Sequence, residues 1–217
     1  MIYLLSPTEH EGVENLSMIE FETTTTKIDF CNIDLLLFTS KQAVITTDLI
    51  DKSWHNISSI AIGEGTKTTI LELGGKVEFV ASKSYGNELA HEIIKRFKNL
   101  KILYLRPEIV SSNITKILLD ANININEQVV YKTNCKQYNK SQKPPPNSII
   151  IATSPSVLNC FLKNFGWCES YIGVAIGKTT AMAFGSNMDF VISDMPTISS
   201  CIIKANEIQK ISKINHH

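Results

Sequence analysis

The chain has 217 residues, and 21 Lys plus Arg are balanced by 21 Asp plus Glu. Zero net charge excludes a strongly basic nucleic-acid binder, leaving only a local basic patch open. Hydrophobic residues at 43% and charged residues at 19% exclude wholesale disorder.

The elements follow from periodicity and punctuation. Residues 2–7 (IYLLSP) and 16–20 (LSMIE) read as strands, and 21–32, with ETTTTK, as an extended connection. Strands are predicted near 33–38, 58–62, 77–80, 101–105 and 126–132, alternating with helices near 41–50, 65–73, 87–99 and 111–121. Asn87 and Ser111-Ser112 stand at N-cap positions, and Gly74-Gly75 at a helix stop. Residues 132–147 contain Lys-Pro-Pro-Pro, a stiff linker. Strands near 148–152, 171–176 and 189–192 then alternate with helices near 155–164, 178–184 and 198–210.

The chain repeats itself. Residues 34–44 (DLLLFTSKQAV) resemble 148–158 (SIIIATSPSVL), and 62–67 (IGEGTK) resemble 176–181 (IGKTTA), both at an offset of 114. Residues 77–82 (VEFVAS) resemble 188–193 (MDFVIS). The first copy has five strands and the second three, and a bare sheet edge is a liability. Residues 2–7 resemble 102–107 (ILYLRP), so the N-terminus is expected to complete the second sheet. The expectation is an α/β protein of two parallel-sheet lobes joined by a two-strand hinge linker, the chain crossing out and back. Domain 1 is 1–20 plus 148–217, domain 2 is 33–131, and 21–32 and 132–147 are the linkers.

Ligands of open parallel sheets bind beyond the carboxyl ends of the strands. Those ends carry Ser40, Gly63, Thr66, Gly86 and Asn87 in one copy and Ser154, Gly177, Thr180 and Thr197 in the other. Hydroxyls, glycines and helix starts facing across a hinge would suit a large polyanion. Taken singly, Ser40, Thr66, Ser154 and Thr180 read first as helix caps, and a glycine after a strand as turn chemistry. Tyr131 closes a strand at the linker, and the residues alone favour a half-buried strand tyrosine with a wet hydroxyl. Only Arg96 and Arg106 are arginines, so bidentate anion capture is not the expected mode. Five cysteines in no C-x-x-C pair predict reduced, mostly buried thiols in a cytoplasm, with no disulfide framework and no zinc site. The first residues lack a secretory pattern, and no apolar run approaches the roughly 18 residues of a membrane span. His216 and His217 are set aside from site arguments.

In order, Phe38-Thr39-Ser40, Ile62-Gly63-x-x-Thr66, residues 102–106 (ILYLR), residues 130–133 (VYKT), residues 153–156 (TSPS) and Ile176-Gly177-x-x-Thr180-Ala181 resemble the uroporphyrinogen-III synthase family over nearly the whole chain. The resemblance implies two α/β lobes and a cofactor-free, metal-free enzyme, expected to be a cytoplasmic monomer. Its substrate is hydroxymethylbilane, a linear tetrapyrrole with eight carboxylates, handed over transiently from hydroxymethylbilane synthase. Loss of the ring A hydroxyl gives an azafulvene. Ring D attacks through its substituted position to form a spiro-pyrrolenine, and reclosure inverts ring D. The resemblance makes Tyr131 the catalytic phenol. It makes Ser40, Gly63, Thr66, Gly86, Asn87, Ser154, Gly177, Thr180 and Thr197 the substrate-binding set. Pro107 stands where many relatives have Gly, and Gln42 where a basic residue is common. Only about ten residues separate the first two strands, short of the dozen or more of a βαβ crossover. A hinged binding protein without chemistry, or an inactive relative, are the alternatives.

Overall fold

The computed structural model describes residues 1–83, 85–110 and 112–214, with side chains described to residue 211. Expectations about Ser111, His216 and His217 lie outside the described residues. The chain divides into unit 1, residues 1–20 and 134–217, and unit 2, residues 21–133.

Unit 2 is built on a six-stranded sheet. Its strands are β3 (Ile19–Thr23), β4 (Leu35–Phe38), β5 (Ser58–Ala61), β6 (Lys76–Val80), β7 (Ile102–Pro107) and β8 (Ile125–Cys135), in the order β3-β8-β7-β4-β5-β6. The four pairings from β8 to β6 are parallel. Four helices cover it: α1 (Lys41–Ile50), α2 (Glu64–Glu72), α3 (Gly86–Arg96) and α4 (Ile114–Asp120). The β4 segment LLLF is buried at every position because both sheet faces are covered. Its side chains alternate between two cores. Leu35 and Leu37 join Ile60, Ile102 and Tyr104 with residues of α3 and α4, while Leu36 and Phe38 join Trp54, Ile70, Leu105 and Tyr131. Helix α2 stops at Gly74, whose φ of +88° suits glycine, and Gly75 N–H donates back to the Ile70 carbonyl.

Unit 1 holds a five-stranded parallel sheet in the order β11-β10-β9-β1-β2. The strands are β1 (Ile2–Leu5), β2 (Glu14–Asn15), β9 (Ile149–Ala152), β10 (Ile172–Ala175) and β11 (Phe190–Ile192). Its helices are α5 (Pro155–Phe165), α6 (Lys178–Ala181) and α7 (Ile198–Ile214). The repeat is visible in the register. Phe38 pairs with Ala61 and Ala152 with Ala175, while Leu35 pairs with Ile102 and Ile149 with Ile2. Strand β1 therefore occupies in one sheet the place of β7 in the other, which is the permutation expected from IYLLSP and ILYLRP.

Three expectations are corrected. The second strand of the unit 1 sheet is Glu14–Asn15, not 16–20, and Ile19 instead begins β3 of the other sheet. Parallel pairing without a crossover helix is possible because β2 contributes only Glu14 and Asn15 to the ladder. Asn87 does not cap α3, whose N-cap is Tyr85 without a side-chain bond. Its Oδ1 instead accepts the Asn113 N–H at the start of α4. The cysteines are not all reduced and buried: Cys135 on β8 and Cys160 on α5 form a disulfide, and Cys31 is exposed. No helix among the described residues is long and apolar enough to cross a membrane.

Both unit boundaries fall within β3 and β8, which are neighbours in the sheet. Thr24 N–H donates to the Val130 carbonyl and Lys136 N–H to that of Met18, so the two run antiparallel.

Candidate active site

At the carboxyl edge of the unit 2 sheet, β4 ends in Thr39-Ser40. Ser40 is the N-cap of α1, and its Oγ accepts the Ala43 N–H at 3.1 Å. The same Oγ lies 3.1 Å from the Tyr131 phenol. Tyr131 reaches it because of a register shift. Arg106 pairs with Val129 but Pro107 with Tyr131, so one residue of β8 is extra. Such a bulge re-aims a side chain, and here Val130 and Tyr131 both face the α1 side. Phe21 packs edge-on to the Tyr131 ring with centroids 5.5 Å apart. Burial pushes the Tyr131 phenol above its ordinary value, opposed by the Ser40 hydrogen bond.

On the opposite face of the sheet, Thr39 Oγ1 lies 2.8 Å from the Tyr104 hydroxyl. Burial raises the Tyr104 phenol as well, and the Thr39 bond opposes it. A cavity of about 430 Å³ opens here, lined by Thr39, Ser40, Tyr104 and the start of α3. Ile62, Pro107, Ile109, Val110 and Ser112 complete its wall. Ser40, Gly86 and Asn87 of the expected binding set line this cavity. Thr39 and Tyr104 are additional. Gly86 has a packing reason of its own, since a Cβ there would lie 2.4 Å from Ser112 Oγ.

Gly63 and Gly177 are the N-caps of α2 and α6, with no side-chain cap. Their φ values of 176° and −177° are extended backbone that any residue adopts. A Cβ on Gly177 would meet nothing within 4 Å. Thr66 and Thr180 are therefore not caps. Both stand three residues after the glycine and both are buried, at 4% and 3% exposure. Lys41 extends across the first turn of α2, where a Cβ on Gly65 would lie 2.7 Å from its Cε. Gln42 is held within α1 by its bond to Thr46.

In unit 1, Ser154 repeats the capping role of Ser40, accepting the Val157 N–H at 3.4 Å, with Ser156 Oγ at 2.9 Å. Among the described residues, no tyrosine bonds to Ser154 as Tyr131 does to Ser40. Thr197 is exposed, and its Oγ1 accepts the Ser200 N–H at the start of α7. No group of three or more His, Cys, Asp or Glu among the described residues is placed to hold a metal ion.

Comparisons with known proteins identify the family. Residues 9–203 match the family model described as uroporphyrinogen-III synthase HemD. The porphyrin biosynthesis protein HemD of Ruminiclostridium josui is 30% identical over 158 residues, 68% of this chain. The match spans only 31% of that longer protein. The crystal structure of uroporphyrinogen-III synthetase from Helicobacter pylori 26695 superposes with a TM-score of 0.83 at 27% identity, covering 95% of this chain and 98% of that one. A mutant uroporphyrinogen III synthase from the extremely thermophilic bacterium Thermus thermophilus shares the fold, with a TM-score of 0.61 at 10% identity, covering 96% of this chain and 98% of that one. With the permuted two-sheet topology and a family model that runs through both of its sheets, this chain belongs to the uroporphyrinogen-III synthase family.

Proposed function

We propose that the chain is a uroporphyrinogen-III synthase, cyclising hydroxymethylbilane with inversion of ring D. The observation that carries this is the Ser40–Tyr131 hydroxyl pair at the carboxyl edge of the unit 2 sheet, beside a cavity lined by hydroxyls and apolar side chains. Ser40 Oγ already accepts from Ala43, so its own proton is free to be donated to the Tyr131 oxygen. The phenol proton is then available to the departing ring A hydroxyl. A phenol held above its ordinary value is a weak acid at neutral pH. Its part is to hydrogen-bond the leaving oxygen as the C–O bond breaks, with the ring A pyrrole nitrogen supplying the electron pair. Water leaves and the azafulvene remains. Attack by the substituted position of ring D, fragmentation and reclosure are then governed by how the bilane is held, a problem of proximity and orientation.

The binding set is Ser40, Gly63, Thr66, Gly86 and Asn87 in unit 2 and Ser154, Gly177, Thr180 and Thr197 in unit 1. These residues supply hydroxyls and backbone N–H groups to the acetate and propionate arms. The same proposal has a cytoplasmic monomer that receives its substrate from hydroxymethylbilane synthase. The test is to generate hydroxymethylbilane in the presence of the purified protein, oxidise the products and separate the uroporphyrin isomers. Type III supports the proposal, and type I alone from folded protein refutes it.

A further inference from the structure

The bulge in β8 aims the Tyr131 phenol, and the bulge is itself held from both sides. Arg106 pairs with Val129 and Pro107 with Tyr131, so Val130 is the extra residue. On the β3 side, Thr24 N–H donates to the Val130 carbonyl, and Thr24 Oγ1 donates to the Val129 carbonyl at 2.9 Å. On the β7 side, Pro107 has no N–H to give. The next residue takes over, and Glu108 N–H donates to the Tyr131 carbonyl at 2.9 Å. The position of Glu108 therefore bears directly on that of Tyr131. Arg106 fixes that position. Its Nη1 donates to the Pro107 carbonyl at 2.9 Å and to the Glu108 carbonyl at 3.1 Å. Its Nε lies 2.8 Å from Glu127 Oε1 on β8, a charge pair without a directed hydrogen bond. The same Oε1 accepts the Thr115 hydroxyl of α4 at 2.6 Å. One guanidinium thus ties β8, ahead of the bulge, to the two carbonyls that end β7. Its planar fork suits this task, whereas a lysine ammonium is a point charge on a flexible stem. Arg106 follows Leu105, which shares a core with Tyr131, and strand side chains alternate. The two side chains therefore lie on opposite faces of the sheet, and the link between them runs through the backbone.

We infer that Arg106, held by Glu127, is a positioning residue for the Tyr131 phenol. It sets the backbone of residues 107 and 108, and through the Glu108–Tyr131 bond it sets the bulge that delivers the phenol to Ser40. Its effect on turnover rests on the role proposed above for Tyr131; its effect on where the phenol sits does not.

The test uses the full chain with isotope-labelled tyrosine rings, followed by NMR, and its Arg106→Lys and Glu127→Gln variants. The Tyr131 ring resonance is the one missing from Tyr131→Phe. Ser40→Ala shows how that resonance moves when the phenol loses its partner. In Arg106→Lys it is expected to move in the same direction. In turnover, kcat is expected to fall about five- to tenfold with KM unchanged, as a small displacement of a reacting group implies. In the Tyr131→Phe background the same substitution should change kcat by less than about twofold, because the two changes act through one group. A purely structural role would multiply the two losses instead. An unmoved Tyr131 resonance overturns the inference, and so do losses in kcat that multiply. Should Arg106→Lys fail to fold, Glu127→Gln carries the test, because it keeps a partner for Thr115 and removes only the charge that holds Arg106. A wild-type protein that yields only type I product would end the synthase proposal, while the ring resonance would still decide whether Arg106 places the phenol.

Discussion

The role proposed for Tyr131 rests on its neighbours. Its phenol is placed by a bulge in β8, oriented by Ser40 and packed by Phe21. Tyr131→Phe keeps the ring and removes the hydroxyl. We expect kcat to fall by about ten- to a hundredfold, toward the low end of acid–base contributions, with the melting temperature close to wild type. Full turnover in this variant would remove the acid role. Ser40→Ala loses a helix cap as well as the tyrosine's partner. It should therefore cost about 1 kcal/mol of stability and slow turnover. Thr66 and Thr180 stand on different ground. The sequence allowed capping or ligand binding, and the caps turn out to be Gly63 and Gly177. Thr66→Val and Thr180→Val remove only a hydroxyl. A raised KM with an unchanged melting temperature assigns them to the substrate, and the reverse assigns them to packing. Ser40 was legible because a hydroxyl after a strand has few uses. The partner of Tyr104 was not, because nothing in ILYLR shows that its buried hydroxyl meets Thr39.

At the scale of elements, the strands and helices of both copies were legible from apolar runs and their punctuation. The exceptions share a cause: long-range partners that local pattern does not specify. Residues 16–20 are apolar and extended, yet Ile19 begins a strand of the other sheet. Cys135 and Cys160 lie 25 residues apart with nothing in their spacing to pair them, and only the approach of β8 to α5 brings them together. A cross-link closing a loop of 25 residues contributes about 3 kcal/mol by chain entropy. Cys160→Ser, or reduction with a dithiol, should lower the melting temperature of the protein by a corresponding amount. An unchanged melting temperature would contradict this. Gly86 is a tight approach between the start of α3 and Ser112. Gly86→Ala should destabilise the fold by about 1–3 kcal/mol through overpacking. Ser112→Gly in the same chain should recover most of that loss, and chemical denaturation of the pair checks it.

Across the whole molecule, three buried tyrosines set a dependence on alkaline pH. Burial raises Tyr104 and Tyr131 and pushes Tyr171 up to about 12. Tyrosines of the unfolded chain ionise near pH 10. Between that value and the folded values the unfolded chain binds fewer protons, so stability falls as pH rises. Below about pH 9 these groups contribute no slope. Urea midpoints measured from pH 7 to 11 should be flat at first and then decline, and a flat profile to pH 11 would contradict the assignment. The permuted repeat was the most legible feature at this scale, because an offset of 114 residues recurs in sequence and again in strand register. It accounts for the fold and places two hydroxyl-lined edges in one chain, but among the described residues only unit 2 pairs its capping serine with a tyrosine. The central claim is that this scaffold inverts ring D. The most direct measurement is the uroporphyrin isomer ratio formed from hydroxymethylbilane at increasing protein concentration. The account predicts that type III displaces type I as protein is added. A product that stays type I at every concentration of folded protein would contradict it.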